Sequence, residues 1–159
     1  MDDPTVDLTA EEGGDEALRA RLEAAGWRWT RQRAAVHRFL AGACHHPTAE
    51  EVYRGVRDAV PSISLATVYK ALEALVASGL ATKLTANDGS ARYDARHDRH
   101  YHLRCLRTGR VEDLPTPFDP DLVEKIDPGL ARRLGEQGFC VTGYRLELIG
   151  YYEPGEPGA

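Results

Sequence analysis

Apolar positions along the chain recur first at helical and then at alternating spacing. Leu18, Leu22 and Ala25 share one face of a short helix that Gly26 closes just past its end. Thr30 can cap a second helix, with Val36, Phe39 and Leu40 on one side and a stop at Gly42. Thr48-Ala49-Glu50-Glu51 has the form of a capping box, with Glu51 at the third helical position. It opens a third helix through Val52, Tyr53 and Val56, and Pro61 ends that region. Ser64 caps a fourth helix over residues 65–78, closed by Gly79, with Val68, Leu72, Leu75 and Val76 facing inward. Residues 80–84 and 91–94 then read as two strands around an Asn87-Asp88-Gly89 turn. Three helices, an amphipathic fourth and a hairpin are the parts of a winged helix-turn-helix.

Beyond a short link the period changes. Residues 100–105 and 110–114 alternate as a strand pair turning at Thr108-Gly109. Pro115, Pro117 and Pro120 interrupt the chain before a helix over residues 122–137, and residues 139–152 read as one long strand carrying Val141, Leu146, Leu148 and Ile149. Three strands and one helix in about 50 residues make a marginal core, so pairing with a second copy is expected. The fold class is therefore α+β: an acidic tail (1–14), a winged helix-turn-helix domain (15–94), a hinge (95–99), a small α/β domain (100–153) and a C-terminal tail (154–159).

Composition narrows the setting. No apolar run approaches the roughly 20 residues of a membrane span, and the acidic N-terminus has no signal-peptide character. Cys44, Cys105 and Cys140 are widely spaced and form no CxxC pair. That supports neither a disulfide framework nor a four-cysteine zinc site, and a reducing cytoplasm fits best. The net charge of −5 argues against a nucleic-acid partner until its distribution is considered. Between Asp15 and Arg99 there are thirteen basic and ten acidic side chains, a charge of +3, which leaves −8 on the rest.

Two sets of side chains carry candidate chemistry. His100-Tyr101-His102 on a strand points both imidazoles to one face with Cα atoms ~6.5–7 Å apart, near enough to share a cation. Asp113 follows, and Asp94, His97, His45 and His46 lie upstream. A mixed imidazole and carboxylate set suits Fe(II), Mn(II), Zn(II) or Ni(II) better than Ca(II) or an iron–sulfur cluster. Incidental histidines on a surface strand would show the same spacing, so the weight falls on the surrounding residues. The second set is Thr67, Tyr69 and Lys70, three hydrogen-bonding side chains near the start of the fourth helix, the end that reads bases in a winged helix.

The stretches Arg28-Trp29-Thr30-Arg31-Gln32-Arg33, His46-Pro47-Thr48-Ala49-Glu50-Glu51-Val52-Tyr53, Ser64-Leu65-Ala66-Thr67-Val68-Tyr69, Ala91-Arg92-Tyr93-Asp94 and His100-Tyr101-His102-Leu103-Arg104-Cys105 together resemble the ferric uptake regulator superfamily of bacterial metal-dependent repressors. The resemblance runs from Leu18 to Tyr152 and implies a DNA-binding domain joined to a dimerisation domain. It implies one divalent metal per subunit on His46, Asp94, His100, His102 and Asp113, with Fe(II) or Mn(II) expected and Zn(II) a further fit. Such a cation would tie the two domains at a fixed angle. The implied partners are a second copy of the chain and a palindromic double-stranded DNA operator, contacted through Arg28, Arg31, Ser64, Thr67, Tyr69 and Lys70. His45 and His97 are left as surface neighbours.

Two departures from the family pattern stand out. A structural zinc on paired CxxC motifs is expected to be missing, because Thr108, Tyr152 and Gly155 occupy positions where its cysteines would stand beside Cys105. Arg99 and Tyr101 likewise replace expected ligands of an accessory site. Three histidines with two aspartates resemble the peroxide-responsive branch of the family, in which Fe(II) and peroxide oxidise a ligand histidine; His46 and His100 are the candidates. The alternatives are a regulator of iron, manganese or zinc uptake without peroxide sensing, a metal-sequestering protein, and a metal-dependent hydrolase. Five protein ligands leave at most one open position and no general base is evident, so the chain is not expected to be an enzyme.

Overall fold

The computed structural model describes residues 12–85 and 89–153 of the chain. It divides into one unit up to Asp98 and a second from Arg99 onward. Asn87 and Asp88 of the expected turn, most of the expected N-terminal tail and the C-terminal tail lie outside the described residues. Among the described residues no helix is long and apolar enough to cross a membrane.

The first unit contains α1 (Glu12–Ala24), α2 (Arg31–Gly42), α3 (Ala49–Val56), α4 (Leu65–Ala77) and the hairpin β1 (Thr82–Thr85) and β2 (Ala91–Asp94). The helix starts follow from their caps. The side chains of Thr30, Thr48 and Ser64 accept from the N–H groups of Arg33, Glu51 and Thr67. At α3 the Glu51 carboxylate also accepts the Thr48 N–H at 2.7 Å, completing the capping box. At the other end of α1, Trp27 N–H donates to the Leu22 carbonyl while Gly26 takes φ 80, a conformation that favours glycine. The α1 helix begins at Glu12, inside the segment expected to be a tail.

One core joins these elements. Leu22, Val36, Val52, Val56, Val68, Leu72 and Leu75 are almost wholly buried, and Trp27, Trp29, Phe39 and Tyr53 pack around them. Leaving large side chains at 0–5 % exposure is worth about 1.5–3 kcal/mol each before chain entropy is subtracted. Thr85 pairs with Ala91, which leaves five residues between the paired strands. The first strand also starts two residues later than the alternation suggests.

The second unit contains β3 (His102–Cys105), β4 (Val111–Asp113), α5 (Leu122–Ile126), α6 (Leu130–Glu136) and β5 (Glu147–Gly150). The sheet order is β4-β3-β5, with β3 antiparallel to β4 and parallel to β5. Two expectations fail here. The single helix over 122–137 is two short helices, because Pro128 forces Asp127 into extended backbone (φ −142, ψ 93) and Gly129 sits at φ 76. The single strand over 139–152 shrinks to Glu147–Gly150, since only those four residues pair with β3. His100 also precedes β3, although Leu114 N–H donating to the Tyr101 carbonyl at 2.8 Å extends the ladder toward it.

Burial in this unit is thin. Tyr101, Cys105 and Val111 are its buried apolar side chains among the described residues, while Leu106, Ile126, Phe139, Leu148, Ile149 and Tyr151 are all more than half exposed. Neither α5 nor α6 buries a residue. Such a unit is short of apolar cover.

One close approach in the first unit is directly testable. A Cβ built on Gly55 of α3 would lie 2.0 Å from Cε2 of Phe39 on α2. Gly55→Ala therefore displaces a ring packed against the core and is expected to lower stability by about 1–3 kcal/mol in denaturant titration. Unchanged or raised stability would show that the ring moves aside freely.

Candidate metal site and nucleic-acid interface

In the first unit, strand β2 builds a site on the segment entering α3. The N–H of Tyr93 donates to the Pro47 carbonyl at 2.9 Å, and the Arg92 guanidinium donates to the His46 carbonyl at 2.9 Å and to Glu51 at 3.3 Å. The next residue, Asp94, brings Oδ1 to 3.8 Å from Nδ1 of His46 and also accepts the Arg96 N–H at 2.7 Å. His46 and Asp94 thus lie side by side, the first anchored through its carbonyl by Arg92 and the second through its carboxylate by the Arg96 N–H. In the sequence Arg92 is visible only as part of the Ala91-Arg92-Tyr93-Asp94 stretch, and its bonds to His46 and Glu51 join elements distant along the chain.

In the second unit, pairing register does the positioning. His102 and Asp113 stand directly opposite across β3 and β4. Side chains at opposed positions share a face with Cβ atoms about 4.5–5.5 Å apart. His100 joins them: its ring centroid is 4.6 Å from that of His102, and its Nε2 is 3.3 Å from Asp113 Oδ1. One ligand atom each from His100, His102 and Asp113 lies within 4.8 Å of the others. Donors about 2.1 Å from a shared divalent ion stand about 3–4 Å apart, so this group could hold a metal. Asp94 with His46 has the same spacing within the first unit.

Where accessory ligands are expected, an aromatic cluster stands instead. Tyr101 alternates to the other side of the strand from its two histidine neighbours, and its hydroxyl lies 2.6 Å from that of Tyr144 and accepts the Asp119 N–H at 2.8 Å. Phe118 stacks on Tyr144 with ring centroids 5.2 Å apart, and the Arg99 guanidinium lies over Phe118. Burial, together with the bond to Tyr101, pushes the Tyr144 phenol up to about 12. At the turn after β3, the Thr108 hydroxyl and N–H bond to Cys105 and lower its thiol to about 7. Threonine therefore serves Cys105 as a hydrogen-bond partner where a second cysteine would stand.

The nucleic-acid candidates are exposed except for Thr67, which is half-buried. Ser64 and Thr67 hydroxyls bond to each other at 2.9 Å while Ser64 caps the helix. Tyr69 is 46 % exposed and Lys70 is also exposed, on the side of α4 opposite the buried Val68, Ala71 and Leu72. Arg28 and Arg31 are exposed at the start of α2, with Arg31 reaching the Ala59 carbonyl at 3.4 Å and the Arg28 carbonyl accepting from Arg33. His45 bonds weakly to Cys44 and His97 is exposed, so neither joins the donor groups described.

A winged helix followed by a small sheet that carries imidazole and carboxylate donors defines a metal-responsive DNA-binding regulator. Residues 24–149 match the ferric uptake regulator family. The peroxide-responsive repressor PerR of Staphylococcus epidermidis is 37 % identical over 131 residues, covering 82 % of this chain and 83 % of that one. A zinc-bound manganese uptake regulator is 31 % identical, with a TM-score of 0.63 over 86 % of this chain and 98 % of that structure. The Vibrio cholerae ferric uptake regulator, whose structure reveals a rearrangement of the DNA-binding domains, is 27 % identical, with a TM-score of 0.65 over 85 % of this chain and 99 % of that structure. The chain belongs to the ferric uptake regulator family. Members of this family are dimeric DNA-binding transcription regulators and not enzymes, which removes the hydrolase alternative.

The geometry around Arg92 yields a prediction. Arg92→Met leaves the His46 carbonyl and Glu51 without that guanidinium, and stability is expected to fall by about 1–3 kcal/mol. Mn(II) affinity should fall roughly tenfold, the usual scale for loss of a residue that orients a ligand. A folded variant that binds Mn(II) as the wild type does would remove Arg92 from this role.

Proposed function

We propose that the chain is a homodimeric, metal-dependent transcriptional repressor that responds to peroxide. The observation that carries this reading is the meeting of His100, His102 and Asp113 on one face of the β3–β4 ladder, in a chain 37 % identical to a peroxide-responsive repressor. His46, Asp94, His100, His102 and Asp113 would hold one Fe(II) or Mn(II) per subunit, with Zn(II) also accommodated by that donor set. Because His46 and Asp94 belong to the first unit and the other three to the second, ligation would fix the angle between the units. Two recognition helices of a dimer would then be presented at the spacing of a palindromic operator. The thin apolar cover of the second unit supports pairing with another copy there.

Bound Fe(II) would supply one-electron reduction of peroxide beside its own ligands. His46 and His100 are the imidazoles proposed to take up oxygen. An oxidised imidazole is a poorer donor, so the two units would lose their tie and the operator would be released. Arg28, Arg31, Ser64, Thr67, Tyr69 and Lys70 are proposed to face the DNA, with Lys70 contacting a phosphate or a guanine edge.

Peroxide treatment of the Fe(II)-loaded chain, followed by peptide mass spectrometry, tests this reading. One added oxygen atom on His46 or His100 and parallel loss of operator binding are expected, whereas the Mn(II)-loaded chain should keep both its mass and its grip. An Fe(II)-loaded chain that gains no oxygen and stays bound would instead make a regulator of metal uptake the better account. For the interface, Lys70→Ala should reduce the slope of log affinity against log salt by about one unit for each phosphate it no longer neutralises. An unchanged slope would mean that other side chains neutralise the phosphates.

A further inference from the structure

The hydroxyl of Tyr69 is engaged within the chain itself. It donates to Glu50 Oε1 at 2.8 Å, across from α4 to the first turn of α3. The bond holds the Glu50 carboxyl below its usual range and the Tyr69 phenol above. Glu50 itself is well anchored. It lies within the capping box, between Thr48 and Glu51, and that segment is gripped by Arg92 and Tyr93 of the wing. A carboxylate beside a DNA-facing tyrosine repels phosphate, so on affinity alone it is a cost on every duplex. What it provides is orientation: with its O–H committed to Glu50, Tyr69 has no proton left to donate to a phosphate, and its ring is held in place as an apolar surface.

We infer that Glu50 is a positioning residue for base reading, which holds the Tyr69 ring as a surface for a thymine methyl group and withholds its hydroxyl from phosphate. The inference rests on the proposal that α4 reads DNA. It makes Glu50, which touches no base, a determinant of sequence preference.

The test uses the full Mn(II)-loaded chain and a duplex that it selects from a random-sequence library. Each thymine of that duplex is replaced singly by deoxyuracil, which removes only the methyl group. Wild type should lose about fourfold in affinity at one thymine per half-site, the worth of one buried methyl group. Glu50→Ala should abolish that dependence. Glu50→Gln should keep it, since an amide oxygen accepts the same hydrogen bond, and should bind all duplexes more tightly because the charge is gone. Melting curves matching wild type establish that the exposed substitutions leave the fold intact. A Glu50→Ala variant with the wild-type deoxyuracil penalty overturns the inference, as does a Glu50→Gln variant that loses the penalty too. If wild type binds the selected duplex but no thymine methyl matters, the inference falls and DNA binding stands. If wild type selects no duplex at all, the DNA-binding proposal falls first.

Discussion

The grip of strand β2 on the segment entering α3 is the contact on which the first unit depends. Three consecutive residues take part: Arg92 holds the His46 carbonyl, Tyr93 holds the Pro47 carbonyl, and Asp94 sets its carboxylate beside the His46 ring. The first two each satisfy a carbonyl near the core that would otherwise cost about 1–3 kcal/mol. The same segment carries the Thr48 cap, and the Arg92 guanidinium also reaches the Glu51 partner of that cap. A proposed metal donor, a helix start and the wing are therefore one mechanical assembly. Movement of His46 cannot leave α3 unaffected, and the first turn of α3 bonds to Tyr69 through Glu50.

In the second unit the corresponding constraint is register. Opposed positions in an antiparallel ladder share a face, and a shift of one residue would send His102 and Asp113 to opposite sides. The alternation that turns His100 and His102 one way turns Tyr101 the other, into hydrogen bonds with Tyr144 and the Asp119 amide. Arg104 adds an ion pair with Glu147, bridging β3 to β5. These polar and aromatic fastenings stand in a unit with few buried apolar side chains, where the family pattern would place a structural zinc.

Much of the first unit is legible in the sequence because its signals are local. Thr30, Thr48 and Ser64 cap within three residues of themselves, and the inward face of α4 follows from helical spacing. The second unit is less legible for two physical reasons. Pro128 and Gly129 interrupt a helical pattern whose apolar spacing continues through them, so periodicity alone joins α5 to α6. Alternation over 139–152 cannot say where a partner strand ends, and β3 offers only four residues to pair. The donor residues themselves are visible as residue types, with the His102–Asp113 opposition following once the turn at Gly109 is placed. The roles of Arg92 and Glu50 are not, because both depend on contacts between elements distant in sequence.

One divalent ion is proposed to draw its donors from both units. X-ray absorption at the manganese edge of the Mn(II)-loaded chain tests it most directly, together with the metal content per chain. The account predicts one ion per chain in a shell of oxygen and nitrogen only, with imidazole scattering from three histidines. A sulfur neighbour, a second equivalent of tightly held metal, or scattering that the two histidines of the second unit alone can explain would contradict it.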